Sequence, residues 1–277
     1  MYAGIVLYNS EIEIVKRNIK SIQDTGLVDK IILVDNGSGN INEIKQLYCE
    51  EKFVILIENP ENKGIATALN QMCEVAFQNS QNRLITLDDD SIIPIELIKA
   101  YKEIPISPNT GIITCRIEDR NYGRMHTKSS EGIDDIKFCI SSGSLLNIDA
   151  WKVIGGFCER LFIDGVDFDI CIRLRKAGYK IKRLNYVCLN HEIGHGRKVH
   201  ILGHDAFVLN HSRLRLYYIT RNYLYLGIKH HQLKYWGGEV CKRFLLVALY
   251  EKDKLGKLAY MIKGLFHGLT NSLGKYH

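Results

Sequence analysis

The chain has 277 residues, of which 46% are hydrophobic and 25% charged; this excludes a chain without a core and allows one large domain, or one domain with an appendage. The net charge of +6 is uneven, with 12 Lys+Arg against 4 Asp+Glu in residues 200–277 and 25 against 27 in residues 1–199. A near-neutral body thus carries a basic tail, which calls for an anionic partner. The eight cysteines form no C-x-x-C pair and several lie in apolar runs, so they read as reduced core residues of a cytosolic protein. Met1 leads straight into a strand-like run, which predicts no signal peptide, and the longest apolar run near the C-terminus, Phe244 to Tyr250, is too short to span a bilayer.

Residues 3–8 predict a first strand, closed by Asn9-Ser10. Ile12, Val15, Ile19 and Ile22 recur at helical spacing before Gly26. Ile31 to Val34 is a second buried strand, ended by Asp35-Asn36-Gly37-Ser38. A short helix over 42–49, a strand over 53–57, a turn at 59–64 and a helix over 65–77 follow. Next comes Leu84-Ile85-Thr86-Leu87, a buried strand that ends in Asp88-Asp89-Asp90-Ser91. Strand and helix have alternated three times before residue 90, which predicts a parallel sheet with right-handed crossovers.

Beyond residue 92 the spacing predicts a helix over 95–103, a strand over 111–115 and a polar loop or hairpin over 116–137. Phe138 to Leu146 reads as a strand, and Asp149 as the cap of a short helix ended by Gly155-Gly156. After Asp164-Gly165-Val166-Asp167-Phe168-Asp169 a helix runs to Ala177, and Tyr179 to Leu189 is the last clear strand. Two helical stretches, 214–228 and 240–269, make a basic, Tyr-rich extension over 211–277, while 1–210 form the main domain.

The three acids at one strand tip repel one another unless a cation or donor groups offset their charge. Their oxygens are hard ligands suited to Mg²⁺ or Mn²⁺, which can in turn hold a nucleotide's phosphates. An ordinary solvated turn uses the same residues, so the motif needs its context. Asp35 lies at the next buried strand tip, where a carboxylate can accept from a base N–H or a ribose hydroxyl. Asp164, Asp167 and Asp169 cluster at a helix entrance; three acids exceed what one cap needs, and one of them reads as a general base. His191-Glu192-Ile193-Gly194-His195 fits H-E-x-x-H, but it directly follows a strand and contains Gly194. That disfavours the shared helix face a zinc protease needs; a single histidine past a strand still suits a metal. Arg213, Arg215 and Arg221 among Tyr217, Tyr218, Tyr223 and Tyr225 suit phosphate, nucleic acid or a membrane surface, or an amphipathic helix packed on the domain.

In order, these motifs resemble the inverting family 2 glycosyltransferases of the GT-A fold, and within them bacterial rhamnosyltransferases that use dTDP-L-rhamnose. The resemblance rests on Leu7-Tyr8-Asn9, Val34 to Ser38, Asn62 to Ala66 with Ala68-Leu69-Asn70, Leu87 to Ser91 and Ser142-Gly143-Ser144. Gly155-Gly156-Phe157, Phe162 to Asp167 with Cys171 and Arg173, His191, and Tyr217-Tyr218 with Arg221-Asn222 complete it. It implies an α/β fold with a mostly parallel, Rossmann-like sheet and a C-terminal helical extension. Asp35 would contact the base, Asp88 and Asp90 would form the D-x-D pair, Asp90 and His191 would hold Mg²⁺ or Mn²⁺, and Asp167 would be the base. The substrates, nucleotide sugar and acceptor, would further touch Tyr8, Asn9, Asn62, Gly64, Asn70, Asp88, Asp89, Ser142, Gly143, Asp164 and Arg221. The acceptor would be a glycan on a lipid carrier, at the inner face of the cytoplasmic membrane, with no nucleic acid involved. Asp89 stands where the family usually has glutamine, Asp169 where it usually has glutamate, and Ser10 where proline is common. The same fold moving galactofuranose or N-acetylglucosamine, and a catalytically silent nucleotide-sugar or membrane-binding subunit, are the alternatives.

Overall fold

The computed structural model describes residues 1–105, 107–119, 123–124, 132–191, 197–201 and 204–276. The alternation read from the sequence builds β1 (Tyr2–Leu7), α1 (Ile12–Gln23), β2 (Lys30–Asp35), α2 (Ile41–Tyr48), β3 (Val54–Glu58), α3 (Ile65–Gln78) and β4 (Arg83–Asp88). These strands pair in parallel in the order β3-β2-β1-β4. Their apolar runs are continuous because both faces are covered. Ala3, Ile5 and Leu7 pack with Val15 and Ile19 of α1. Gly4 points to the other face, where a Cβ would collide with the Met72 side chain of α3. Its lack of a side chain is what lets that helix lie close on β1.

Next come α4 (Ile95–Glu103), β5 (Thr110–Asp119), β6 (Gly123–Arg124), β7 (Ile133–Ile136), β8 (Ser144–Asn147), α5 (Ile148–Val153), α6 (Val166–Lys176) and β9 (Lys180–His191). The sheet continues β4-β8-β5-β9-β7, with β6 on β5. β8 is antiparallel to both its neighbours, β5 and β9 are parallel, and β6 and β7 are antiparallel. The fold is α/β, with its uninterrupted parallel block on the side of the acidic strand tip.

Four expectations change in detail. The strand expected over 138–146 is confined to Ser144–Asn147, because Gly143 takes φ +72° and turns the chain just before it. The cap of α5 is Asn147, whose side chain accepts from the Ala150 N–H, and Asp149 lies inside the first turn. The second C-terminal helical stretch is two helices, α8 (Leu233–Tyr250) and α9 (Lys254–Leu269), separated at Asp253 in a left-handed conformation. All eight cysteines are free, but Cys49 and Cys241 are exposed rather than in the core.

The chain divides into two compact units, Met1–Glu159 with Asp167–Glu192, and Arg160–Val166 with Ile193–His277. The second holds the hairpin β10 (Arg197–Ile201) and β11 (His204–Val208), then α7 (Arg213–Lys229), α8 and α9. No helix among the described residues is long and apolar enough to cross a membrane.

Candidate active site

Parallel register brings the predicted acids together at one sheet edge. Asp35 is paired with Leu7 across β2 and β1, and Asp88 with Val6 across β4 and β1. The two residues therefore lie on either side of the tip of β1, at the carboxyl ends where open α/β sheets collect ligands.

Asp35 is 1% exposed. Its Oδ2 accepts from the Gly37 and Ser38 N–H groups, both at 3.1 Å, whereas Oδ1 is buried with no hydrogen-bond partner among the described residues. A buried acceptor without a donor is costly, and in a native protein it calls for a ligand or water. Around it the loops interlock. Asn9, at φ +52°, donates its N–H to Ser38 Oγ at 2.9 Å and accepts the Gly39 N–H on Oδ1 at 2.9 Å. Asn36 Oδ1 accepts the Lys63 N–H at 3.0 Å, Asn36 Nδ2 donates to Asn62 Oδ1, and Asn62 Oδ1 accepts the Gly64 N–H at 2.9 Å. Gly37, at φ +80°, lies so close to this turn that a Cβ would sit 2.5 Å from the Glu61 carbonyl carbon. Tyr8 stands 51% exposed at the rim.

At the β4 tip Asp88 is half-buried and Asp90 exposed. The Asp88 N–H donates to Ser142 Oγ at 3.1 Å, and Ser142 donates on to Ser91 Oγ at 2.9 Å. Gly143 donates to Thr86 O at 2.8 Å and accepts from the Tyr101 hydroxyl. The 141–144 turn thus fixes the strand tip from behind. Asp89 is engaged within the protein: its carboxylate accepts from the Ser10 hydroxyl, and its carbonyl accepts from Asn18 Nδ2. Burial pushes its pKa up, the Ser10 bond opposes the shift, and neighbouring Asp90 adds to it.

Among the described residues no group of three His, Cys, Asp or Glu side chains gathers as a metal site. His191 ends β9, but its side chain, like residues 192–196 with the rest of H-E-x-x-H, lies outside the described residues. Two carboxylates at one strand tip remain a hard-oxygen donor set that fits a divalent cation.

Asp167 stands half-buried in the first turn of α6 and lines a small cavity with Thr86, Cys139, Ser141 and Cys171. Asp169 is instead fully buried and ion-paired to Arg173 at 2.6 Å, one helical turn on. Arg173 also donates to Ile154 O at 2.9 Å, so that acid serves packing.

Two residues expected to touch the donor are occupied otherwise. Asn70 donates to Phe157 O and Glu159 Oε1 and accepts from Trp151 Nε1 and the Phe157 N–H, at 2.8–3.0 Å. Every hydrogen-bonding position of that amide ties α3 to the 151–159 segment. Arg221 is 1% exposed. It donates to Leu161 O, Gly274 O and Asn222 Oδ1 at 2.7–2.9 Å and stacks on Tyr217 and Tyr218. Both are tethers, a role that residue type alone does not separate from ligand binding.

In the second unit Asn222 Nδ2 reaches the carbonyls of Leu161, Ile163 and Asp164 at 2.7–2.9 Å. It holds a turn in which Phe162, Asp164 and Gly165 all take positive φ, strain that persists only where surroundings over-determine it. Asp164 lies 3.4 Å from Arg215, while its Oδ2 is buried without a hydrogen bond among the described residues. Burial raises its pKa more than Arg215 lowers it.

A parallel strand block with acids at its carboxyl edge, an extra acid in a helix entrance and a helical C-terminal region is the GT-A architecture of nucleotide-sugar glycosyltransferases. The model of the family described as "Glycosyl transferase family 2" matches residues 2–159, and the chain belongs to that family. It is 27% identical to the dTDP-rhamnosyl transferase RfbF of Shigella flexneri, over 99% of this chain and 96% of that one. The fold is also similar to solved structures. TarS 1–349 of S. aureus in complex with UDP has a TM-score of 0.59 at 12% identity, over 97% of this chain and 72% of that one. GalNAc-T7 with UDP, GalNAc and Mn2+ has a TM-score of 0.54 at 15% identity, over 73% of this chain and 43% of that one. The protein is a glycosyltransferase.

Proposed function

We propose that the chain transfers L-rhamnose from dTDP-L-rhamnose to a glycan acceptor with inversion at the anomeric carbon. The buried Oδ1 of Asp35, which has no hydrogen-bond partner among the described residues, carries the reading. It is an acceptor waiting for a donor N–H at the position where the family resemblance puts the base. The full-length likeness to a dTDP-rhamnosyl transferase supports thymidine diphosphate and rhamnose over other donors.

Tyr8 offers an exposed ring for stacking, and Asn9, Asn62 and Gly64 shape the backbone around the nucleotide. Ser142 and Gly143 hold Asp88 in place. Asp88 and Asp90, with His191 by resemblance, would hold Mg²⁺ or Mn²⁺, which when bound offsets the charge of the departing diphosphate. Asp167 takes the proton from the acceptor hydroxyl as its oxygen attacks the anomeric carbon opposite the leaving diphosphate. A helix N-terminus favours the ionised carboxylate that this role requires. Asp164 acts as a supporting acid on the acceptor side. Asn70, Asp89 and Arg221 work by positioning rather than by touching the donor. The acceptor is carried on a lipid at the inner face of the cytoplasmic membrane, in keeping with the net charge of +8 on residues 200–277.

A thermal-shift panel of dTDP-L-rhamnose, UDP-galactofuranose and UDP-N-acetylglucosamine with Mn²⁺ tests the donor, since a ligand specific to the native state raises the melting temperature. The largest shift belongs to dTDP-L-rhamnose. A larger one from either UDP-sugar transfers the assignment to that sugar, and binding without any turnover would mark a silent subunit.

A further inference from the structure

Tyr217, Tyr218 and Arg221 of α7 form no membrane face, because all three are buried. A different element presents one. In α9, Gly264 and Gly268 face α7 so closely that a Cβ on either would lie 2.6–2.7 Å from the carbonyl oxygens of Tyr217 and Arg221. Met261 is fully buried, and Lys257 is buried in its pair with Glu251 at 2.8 Å. This glycine-lined contact fixes the rotation of α9 about its axis. The opposite side then carries Leu255, Ala259, Ile262, Phe266 and Leu269, spaced i, i+4, i+7, i+11 and i+14 and so on one face. Leu255 is 85% exposed, Ile262 60%, Phe266 63% and Leu269 65%. Single exposed leucines need no explanation, but four large apolar side chains aligned along one helix do.

The surrounding charge says what covers them. Lys252, Lys254 and Lys263 are all exposed. No acid follows Asp253 in the sequence, and Asp253 itself is bound by Arg213, at 2.9 Å from Nη2. An apolar stripe bordered by lysines, in a segment whose residues 254–277 include no acid, is the composition of a helix that lies in the plane of an anionic bilayer surface. A second protein surface would have to bury the same lysines against compensating acids.

We propose that α9 is the membrane-docking element of this glycosyltransferase, with Leu255, Ile262, Phe266 and Leu269 entering the headgroup–acyl boundary of an anionic membrane and the lysines meeting its phosphates. The proposal deepens the reading above and rests on it for the lipid-carried acceptor. The glycine-lined packing of α9 supplies the rigidity: the helix is already folded and oriented before it meets lipid, so docking costs little ordering.

The test is co-sedimentation of the full chain with vesicles of phosphatidylcholine and phosphatidylglycerol, and of phosphatidylcholine alone, at low and high salt. The wild type binds the anionic vesicles and binds less at high salt. Ile262→Ser/Phe266→Ser lowers the partition coefficient about tenfold or more, because both apolar anchors are lost. The double variant keeps its donor thermal shift, a readout of the first unit alone, so a failure of lipid binding is distinguishable from a failure of the donor assignment. Equal binding by wild type and variant, or no binding to either vesicle, overturns the proposal. So does a wild-type dimer by sedimentation velocity that the double variant abolishes without any lipid binding, since the stripe would then cover a second copy.

Discussion

Ser10 and Asp89, seventy-nine residues apart, hydrogen-bond one another, hydroxyl to carboxylate. By the resemblance, they are also two of the positions at which the chain departs from the usual residues of that family. The two departures are one feature: the extra acid in the Asp88-Asp89-Asp90 run is turned inward to the loop after β1, and Asn18 of α1 holds its carbonyl. The bond links the loop after β1 to the tip of β4. Ser10→Ala should leave a largely buried carboxylate short of a donor and cost about 1–3 kcal/mol of stability. Chemical denaturation of the variant checks this; an unchanged midpoint would mean the pair is incidental.

Gly37→Ala should be more damaging than its place in a surface turn implies. It needs a left-handed backbone, and its Cβ would be driven into the Glu61 backbone at 2.5 Å. The loop must move, at a cost of about 1–3 kcal/mol, and the Asp35 cradle moves with it. The expected result is a lowered melting temperature together with a weakened donor shift; a donor shift of normal size would detach Gly37 from the nucleotide site.

Arg221→Ala should unfold or strongly destabilise the second unit, by about 3 kcal/mol or more, since three carbonyl acceptors lose a buried charged donor. Arg221→Lys should not rescue it, because a point charge cannot reach Leu161 O, Gly274 O and Asn222 Oδ1 together. If Arg221→Lys is as stable as wild type but fails to bind donor, the residue is a ligand contact after all.

The pH dependence of stability isolates Asp164. Its pKa is raised in the fold, chiefly by burial and in spite of Arg215, so its contribution is fully present below the unfolded carboxylate pKa and is lost as pH rises through the folded value. Asp164→Asn carries no such loss. Its melting temperature relative to wild type should therefore rise from about pH 4 to about pH 8. A relative fall over that range would show that the ion pair with Arg215 outweighs the burial.

Much of the architecture could be read directly. The continuous apolar runs of β1, β2 and β4 and the helical spacing of α1 and α3 place the acids at strand tips from the sequence alone. What the sequence concealed was contact. Asn70 and Arg221 belong to motifs that resemble donor-binding ones, and only their partners reveal that both amide and guanidinium are used up by the protein. The β10–β11 hairpin is not legible in the sequence because Lys198-Val199-His200-Ile201 alternates polar and apolar residues over only four positions. The break between α8 and α9 lies at Glu251-Lys252-Asp253, where no glycine or proline marks it and a left-handed Asp253 makes the turn. The glycines of α9, by contrast, read as weak helix formers but are a packing surface.

The most direct measurement is turnover by Asp167→Asn and Asp164→Asn with dTDP-L-rhamnose, Mn²⁺ and a rhamnosyl acceptor, with donor affinity followed by calorimetry. Asp167→Asn is expected to bind donor normally but to lose about 10²–10⁴-fold in rate, because the amide cannot take the acceptor's proton. Asp164→Asn should lose less rate, with EDTA silencing all forms. Normal turnover by Asp167→Asn alongside an inactive Asp164→Asn would contradict the assignment and move the base to Asp164.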